Sequence, residues 1–132
     1  MRNYILILCF FIITGCVNSM QNPSASSSVE IAGKWEGGFG MPGGRLKKVS
    51  FEFNKSKDIV TGDVLFSGNR TPIIDGSISG NKITFQTRFD NEGDTVTSYY
   101  EGTVKKDRIR MKCLAEAGNG KMTMRGEFRL IN

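Results

Sequence analysis

Residues 74–89 read IDGSISGNKITFQTRF, and this stretch decides the fold. On either side of Gly80-Asn81, apolar residues alternate with polar ones, which is the period of a half-buried β-strand. A short glycine-containing break between two such runs is typical of a tight hairpin turn. The stretch therefore predicts two neighbouring antiparallel strands, with Ile74 on the inward face of the first and Phe89 on that of the second.

The same alternation continues on both sides of this hairpin and predicts eight strands between about residue 29 and the end of the chain. Short connections between consecutive strands favour antiparallel neighbours. Closing eight such strands into a ring removes the exposed edges of the sheet. We therefore predict an all-β fold, an eight-stranded antiparallel up-and-down meander closed into a small barrel. Its inward face is predicted to carry Trp35, Phe51, Phe53, Phe66, Phe85, Phe89, Tyr100, Cys113 and Phe128.

The predicted connections alternate in length, and the longer, glycine-rich ones fall at one end of such a meander. Pro42-Gly43-Gly44 is the first of them. Binding residues often collect on loops held by a rigid scaffold, so we expect a ligand-binding mouth at this end. Apolar inward residues are expected to line it, with Arg70 at the rim orienting an acidic head group. The predicted binding residues are Met41, Phe66, Arg70, Ile74, Phe89, Val96 and Met122.

The inward face of this meander carries glycines at regular places, among them Gly62, Gly76, Gly102 and Gly126. Each lies two residues before an apolar inward position. Because glycine weakens a strand interior, a repeated inward glycine indicates sharp strand bending or close packing against a large neighbour.

The start of the chain has the pattern of a secretory signal peptide. Arg2 precedes an apolar run over residues 4–13, and small residues follow it. The run is shorter than the roughly 20 residues that a membrane-spanning helix needs. Residues 1–15 are therefore predicted to be a signal peptide that is removed.

The end of this segment, Ile13-Thr14-Gly15-Cys16, resembles the bacterial lipobox. The resemblance implies that Cys16 becomes the lipidated first residue of the mature protein. Residue 17 is valine rather than the aspartate associated with inner-membrane retention. By this resemblance we expect a lipid-anchored protein of the cell envelope, in the outer membrane and facing the periplasm.

Residues 16–28 are polar and serine-rich, which predicts a flexible linker, and residues 29–132 are predicted to form the domain.

Gly33 and Trp35 open the first predicted strand. A Gly-x-Trp motif before an eight-stranded meander resembles the calycin group, which includes avidins, lipocalins and fatty-acid-binding proteins. In such barrels this tryptophan plugs the closed end. The chain has a single tryptophan, whereas avidins hold biotin with several, so biotin binding is not implied.

The composition argues against most catalytic chemistry. The chain has no histidine, which excludes Ser-His-Asp and Cys-His arrangements. Cys113 is the one cysteine of the predicted domain, so a Cys/His zinc site is excluded too. We expect no catalytic residues, no metal, no cofactor and no nucleic-acid partner.

Two functions remain open. The first is a membrane-tethered, non-enzymatic barrel that binds a small apolar or amphipathic ligand at the long-loop end. The second is a protein-interaction or inhibitor module of the cell envelope that uses the same loops. A filled barrel favours the second function, and a cavity of ligand size favours the first.

Replacing Cys16 with serine tests the anchor. The Cys16→Ser variant should lose its lipid and leave the membrane fraction while the domain still folds, because the acyl chains provide the attachment. Membrane fractionation and intact-mass measurement check this. A variant that stays membrane-bound after normal signal cleavage contradicts the lipoprotein prediction.

Overall fold

The structure, a computed structural model, describes residues 29–131 of the chain. The predicted signal peptide, lipobox and linker lie outside this part. The described residues form nine β-strands and no helix. The strands are β1 (Gly33–Gly40), β2 (Leu46–Ser56), β3 (Ile59–Phe66), β4 (Asn69–Pro72), β5 (Ile74–Ser79), β6 (Lys82–Asn91), β7 (Asp94–Lys105), β8 (Arg108–Ala117) and β9 (Gly120–Ile131).

The strands close into a barrel in which all neighbours are antiparallel. β1 pairs with β2 on one side and with β9 on the other. β4 and β5 share one position in the ring, because both pair with β3. The remaining neighbours follow the order of the chain. The predicted eight-stranded meander is confirmed, with its fourth strand divided into two short segments.

A bulge divides this fourth strand. Asp63 of β3 faces Pro72, but Val60 faces Gly76, so the register shifts by one residue between them. Asp75 has a φ of 51°, and the β5–β6 ladder is irregular at the same place.

The bulge changes the direction of one predicted binding residue. Ile73 packs against the core, whereas Ile74 is 36% exposed and lies opposite Gln86. The expectation that Ile74 faces inward is wrong, because an extra residue in one strand breaks the alternation of its side chains.

The connections at the predicted mouth do share one end, but most of them are tight. β3–β4 is joined by Ser67-Gly68, and β6–β7 by Glu92-Gly93. All four of these residues have positive φ, as the preferred two-residue hairpin turns require. Only the β1–β2 connection, residues 41–45, is a longer loop. The expectation of long loops is otherwise wrong, since the strands continue further than their sequence alternation indicated. We call this end of the barrel the open end.

The opposite end is closed by the residues that precede β1. Ile31 is fully buried, and the backbone N–H of Val29 donates to the carbonyl of Gly80 at 3.1 Å. Trp35 is also fully buried, and its indole Nε1 donates to the Ile31 carbonyl at 2.9 Å. Trp35 is therefore a core side chain with its one polar atom satisfied.

Aromatic rings fill the barrel from its middle to the closed end. Phe51 is stacked on Phe53, with 5.4 Å between ring centroids, and meets Phe128 edge-on at 4.7 Å. Phe85 is stacked on Tyr100 at 4.5 Å. Each ring also contacts others of this group, so they form one continuous aromatic cluster.

The inward glycines lie where neighbouring strands approach each other closely. A Cβ atom at Gly126 would overlap the carbonyl oxygen of Gly38, and one at Gly62 would overlap that of Glu52. A Cβ at Gly37 would overlap the carbonyl oxygen of Glu127 in the same way. The close neighbour at these three positions is the backbone of the adjacent strand rather than a large side chain.

Two adjacent glycines of β1 allow a matched test of this packing. Gly37→Ala should lower the free energy of unfolding by about 1–3 kcal/mol, because its methyl group displaces β9. Gly38→Ala should leave it unchanged or raise it by up to about 1 kcal/mol, since the nearest atom to that Cβ is 3.5 Å away. Denaturant unfolding of the two purified variants decides this. Equal effects at both positions contradict the close approach at Gly37.

Candidate functional site

The barrel is hollow between the aromatic cluster and the open end. A cavity of about 670 Å³ lies there, and we call it the cup. Its wall comes from most strands of the barrel. The lining residues are Phe39, Lys47, Val49, Val64, Phe66, Asn69, Arg70, Thr71, Thr87, Phe89, Asp90, Val96, Ser98, Tyr100, Ala115, Ala117, Gly120, Lys121, Met122 and Met124.

Small side chains on β7 and β8 explain why this half is hollow. Val96 is paired across the sheet with Ala117, and Ser98 with Ala115. Nearer the closed end the same ladder carries Tyr100, whose ring fills the barrel. The change from small to aromatic side chains along one wall therefore sets the depth of the cup.

Hydroxyl groups form the floor of the cup. Thr87 and Ser98 are buried, and their hydroxyls lie near the hydroxyl of Tyr100. The buried thiol of Cys113 also lies near the Tyr100 hydroxyl. Burial raises the pKa of Tyr100 and that of Cys113 above their ordinary values. The floor therefore presents neutral hydroxyls, and the thiol of Cys113 is buried outside the cup wall.

Lys47 places an amine inside the cup. Its Nζ lies 3.7 Å from the centroid of the Phe66 ring, a cation–π contact. The side chain is half-buried, whereas its neighbours Leu46 and Lys48 are exposed. Burial lowers the pKa of the Lys47 amine from its ordinary value.

Sequence reasoning missed Lys47, although a signal for it was present. The alternation predicts Phe51 and Phe53 on the inward face of the second strand. Extended towards the start of that strand, the same alternation puts Val49 and then Lys47 on that face, as the structure has it.

The structure brings five of the seven predicted binding residues together in the cup. Phe66, Arg70, Phe89, Val96 and Met122 all line it. Met41 lies in the β1–β2 loop, packs against the core and is not part of the cup wall. That any of these residues binds a ligand stays a prediction.

Arg70 lies at the rim of the cup, but its guanidinium is held by two carboxylates. Its Nη1 is 2.6 Å from Glu52 Oε2 and 2.9 Å from Asp63 Oδ2. These two bonds raise the pKa of Arg70 above its ordinary value. The pairing leaves Arg70 a weaker candidate for an acidic head group than its sequence position indicated.

Residues 29–131 offer no cluster of three acidic, histidine or cysteine side chains that could hold a metal ion. Asp90, near the end of β6, accepts a hydrogen bond from Thr95 Oγ1 at 2.8 Å. Within the same range, no helix is long and apolar enough to cross a membrane.

The reactivity of Cys113 tests whether its thiol is buried in the native protein. Cys113 should react with iodoacetamide at least about 100-fold more slowly in the native protein than in denaturant, because the thiolate is the reactive form and burial disfavours it. Peptide mass mapping after timed quenching follows that residue alone. A cysteine introduced at the exposed position of the same strand, Lys112→Cys, should react rapidly in the native protein. Similar rates of reaction at the two positions in the native protein contradict the burial of Cys113.

Comparison with known proteins finds no matching protein family, no matching curated protein and no matching solved structure.

Proposed function

We propose that this protein binds a small amphipathic ligand in the cup, without catalysing a reaction. The cup itself carries the proposal. Its volume of about 670 Å³ lies within the roughly 300–1,000 Å³ of typical small-molecule sites. Apolar side chains form much of its wall, and a few polar groups converge at its floor and at Lys47, which is the usual make-up of such sites.

The protonated forms of Tyr100 and Cys113 are stabilised, which favours binding over catalysis by these two groups. A nucleophile needs an adjacent base or a lowered pKa to become reactive. Burial acts in the opposite direction on Tyr100 and Cys113, because it stabilises their protonated forms. In this proposal the hydroxyls of the floor orient a ligand by hydrogen bonds.

The architecture agrees with a calycin-like barrel, which we include in the proposal. Gly33 and Trp35 open β1, and the indole lies at the closed end. An antiparallel barrel that is closed at one end and hollow at the other suits a ligand that enters along the axis.

We also propose that a lipid on Cys16 tethers the protein to the outer membrane, on its periplasmic face. Residue 29 joins the domain at the closed end, where Val29 is bonded to Gly80. Residue 29 therefore lies at the end opposite the cup, and a tether attached through it would leave the opening free.

A basic face on β8 and β9 is compatible with a nearby membrane. Arg108, Lys112 and Arg125 lie on the outside of these strands, and Lys112 is paired with Arg125 across the ladder. Glu127 interrupts the face and bonds to Arg108 at 3.3 Å. Each basic charge close to an anionic lipid surface contributes on the order of 1 kcal/mol.

A second function, a protein-interaction or inhibitor module at the open end, is favoured by one observation. Leu46 is 77% exposed beside the β1–β2 loop, and Phe89 is 44% exposed at the rim. The tight turns at this end offer little further contact surface. We therefore rank this function below ligand binding.

Filling the cup tests the proposed function. Ala115→Phe should weaken binding of the neutral fluorescent probe phenylnaphthylamine by at least about tenfold, because the added ring occupies cup volume. Ala32→Phe, at an exposed position near the closed end, is the control and should bind like the parent protein. Fluorescence titration measures the affinities, and denaturant unfolding verifies that both variants fold.

Titration of the parent protein with the same probe completes the test. Absence of binding to the parent protein contradicts the proposed function. So does equal binding by the parent protein and a folded Ala115→Phe variant, because the probe would then lie outside the cup.

A further inference from the structure

We infer that the ligand of the cup carries one negative charge, and that this charge pairs with the Lys47 amine. The inference rests on the proposed function and names the chemical class of its ligand. The ligand is an amphipathic monoanion such as a carboxylate with an apolar body. The inference starts from a cation of the cup wall that lies against an aromatic ring.

Lys47 has no carboxylate partner in the described part of the chain. None of the ion pairs among residues 29–131 includes it. The Phe66 ring covers one side of the amine at 3.7 Å. An ammonium group has three N–H donors, and a ring face does not satisfy all of them. A ligand oxygen beside Nζ would accept a hydrogen bond from one of the remaining donors.

The other cations of the cup wall are already paired. Arg70 is bonded to Glu52 and Asp63, as described above. Lys121 Nζ lies 3.5 Å from Glu116 Oε1. Lys47 is therefore the one cup-lining cation without a carboxylate partner among the described residues. One such cation matches a ligand with one negative charge better than a dianion.

The surroundings of Lys47 make this pairing favourable. Removing an amine from water disfavours its charged form, which is the direction of the pKa shift at Lys47. A nearby anion acts in the opposite direction and stabilises the charged form. A charge-assisted hydrogen bond in a partly desolvated cup is also stronger than one in water.

Three ligands with the same tail test the head group. Decanoate, decanol and decylamine differ only in carrying a negative, a neutral and a positive head at neutral pH. Titration of each into the purified full chain, by calorimetry or by displacement of phenylnaphthylamine, gives their affinities. We expect decanoate to bind at least about tenfold more tightly than decanol, and decylamine to bind most weakly.

Variants at Lys47 assign the preference to one atom. Lys47→Met keeps the length of the side chain and removes its charge, so decanoate should fall to the affinity of decanol. Decanol binding should persist in that variant, which also shows that its cup is intact. Lys47→Glu should reverse the order and favour decylamine. Lys48→Met, at the exposed neighbour on the same strand, should leave the decanoate preference unchanged.

The outcomes separate this inference from the proposed function. Binding of decanol and decanoate with equal affinity overturns the monoanion inference and leaves ligand binding in the cup intact. A decanoate preference that survives in Lys47→Met overturns the role of Lys47. No binding of decanoate, decanol or phenylnaphthylamine by the parent protein overturns both proposals. A preference that is lost in Lys47→Met and kept in Lys48→Met supports the inference.

Discussion

Packing of aromatic rings around Phe51 is the constraint on which the rest of the structure depends. Phe51 contacts Phe39, Phe53, Phe85, Tyr100 and Phe128, and several of these rings also contact one another. Large rings in a narrow barrel leave no room for a ligand at this level. The cup is the part of the barrel that these rings do not fill, and Phe39 and Tyr100 border it.

The floor of the cup joins this apolar core to a polar site. Tyr100 contributes its ring to the aromatic cluster and its hydroxyl to the polar floor, near Thr87 and Ser98. Buried polar groups are costly unless they are hydrogen-bonded, and no described buried side-chain nitrogen or oxygen lacks a partner. Lys47 differs, because its amine faces the open half with an aromatic ring beside it. In our account, the buried polar groups that have partners stabilise the fold, and Lys47 is the group that selects a ligand.

The strand pattern was readable from sequence because one face of nearly every strand is buried. Alternation placed Phe51, Phe85 and Phe128 inward, and all are buried. It failed at Ile74, since a bulge depends on how β3 and β5 pair and leaves no mark in the spacing of apolar residues. It also missed Lys47, because a charged side chain faces inward only where the barrel is hollow. The hollow depends on packing across the whole barrel, which no single strand reveals.

The central claim is that the open half of the barrel receives a ligand while the closed half is solid. Methionine ε-methyl groups report on both halves, because Met122 and Met124 line the cup and Met111 is buried outside its wall. An NMR experiment on the methyl-labelled protein with decanoate would measure nuclear Overhauser effects between the ligand methylenes and these methyls. The account predicts cross-peaks to Met122 and Met124 and none to Met111. Absence of cross-peaks to Met122 and Met124 at saturating decanoate, or cross-peaks of equal strength to Met111, would contradict it.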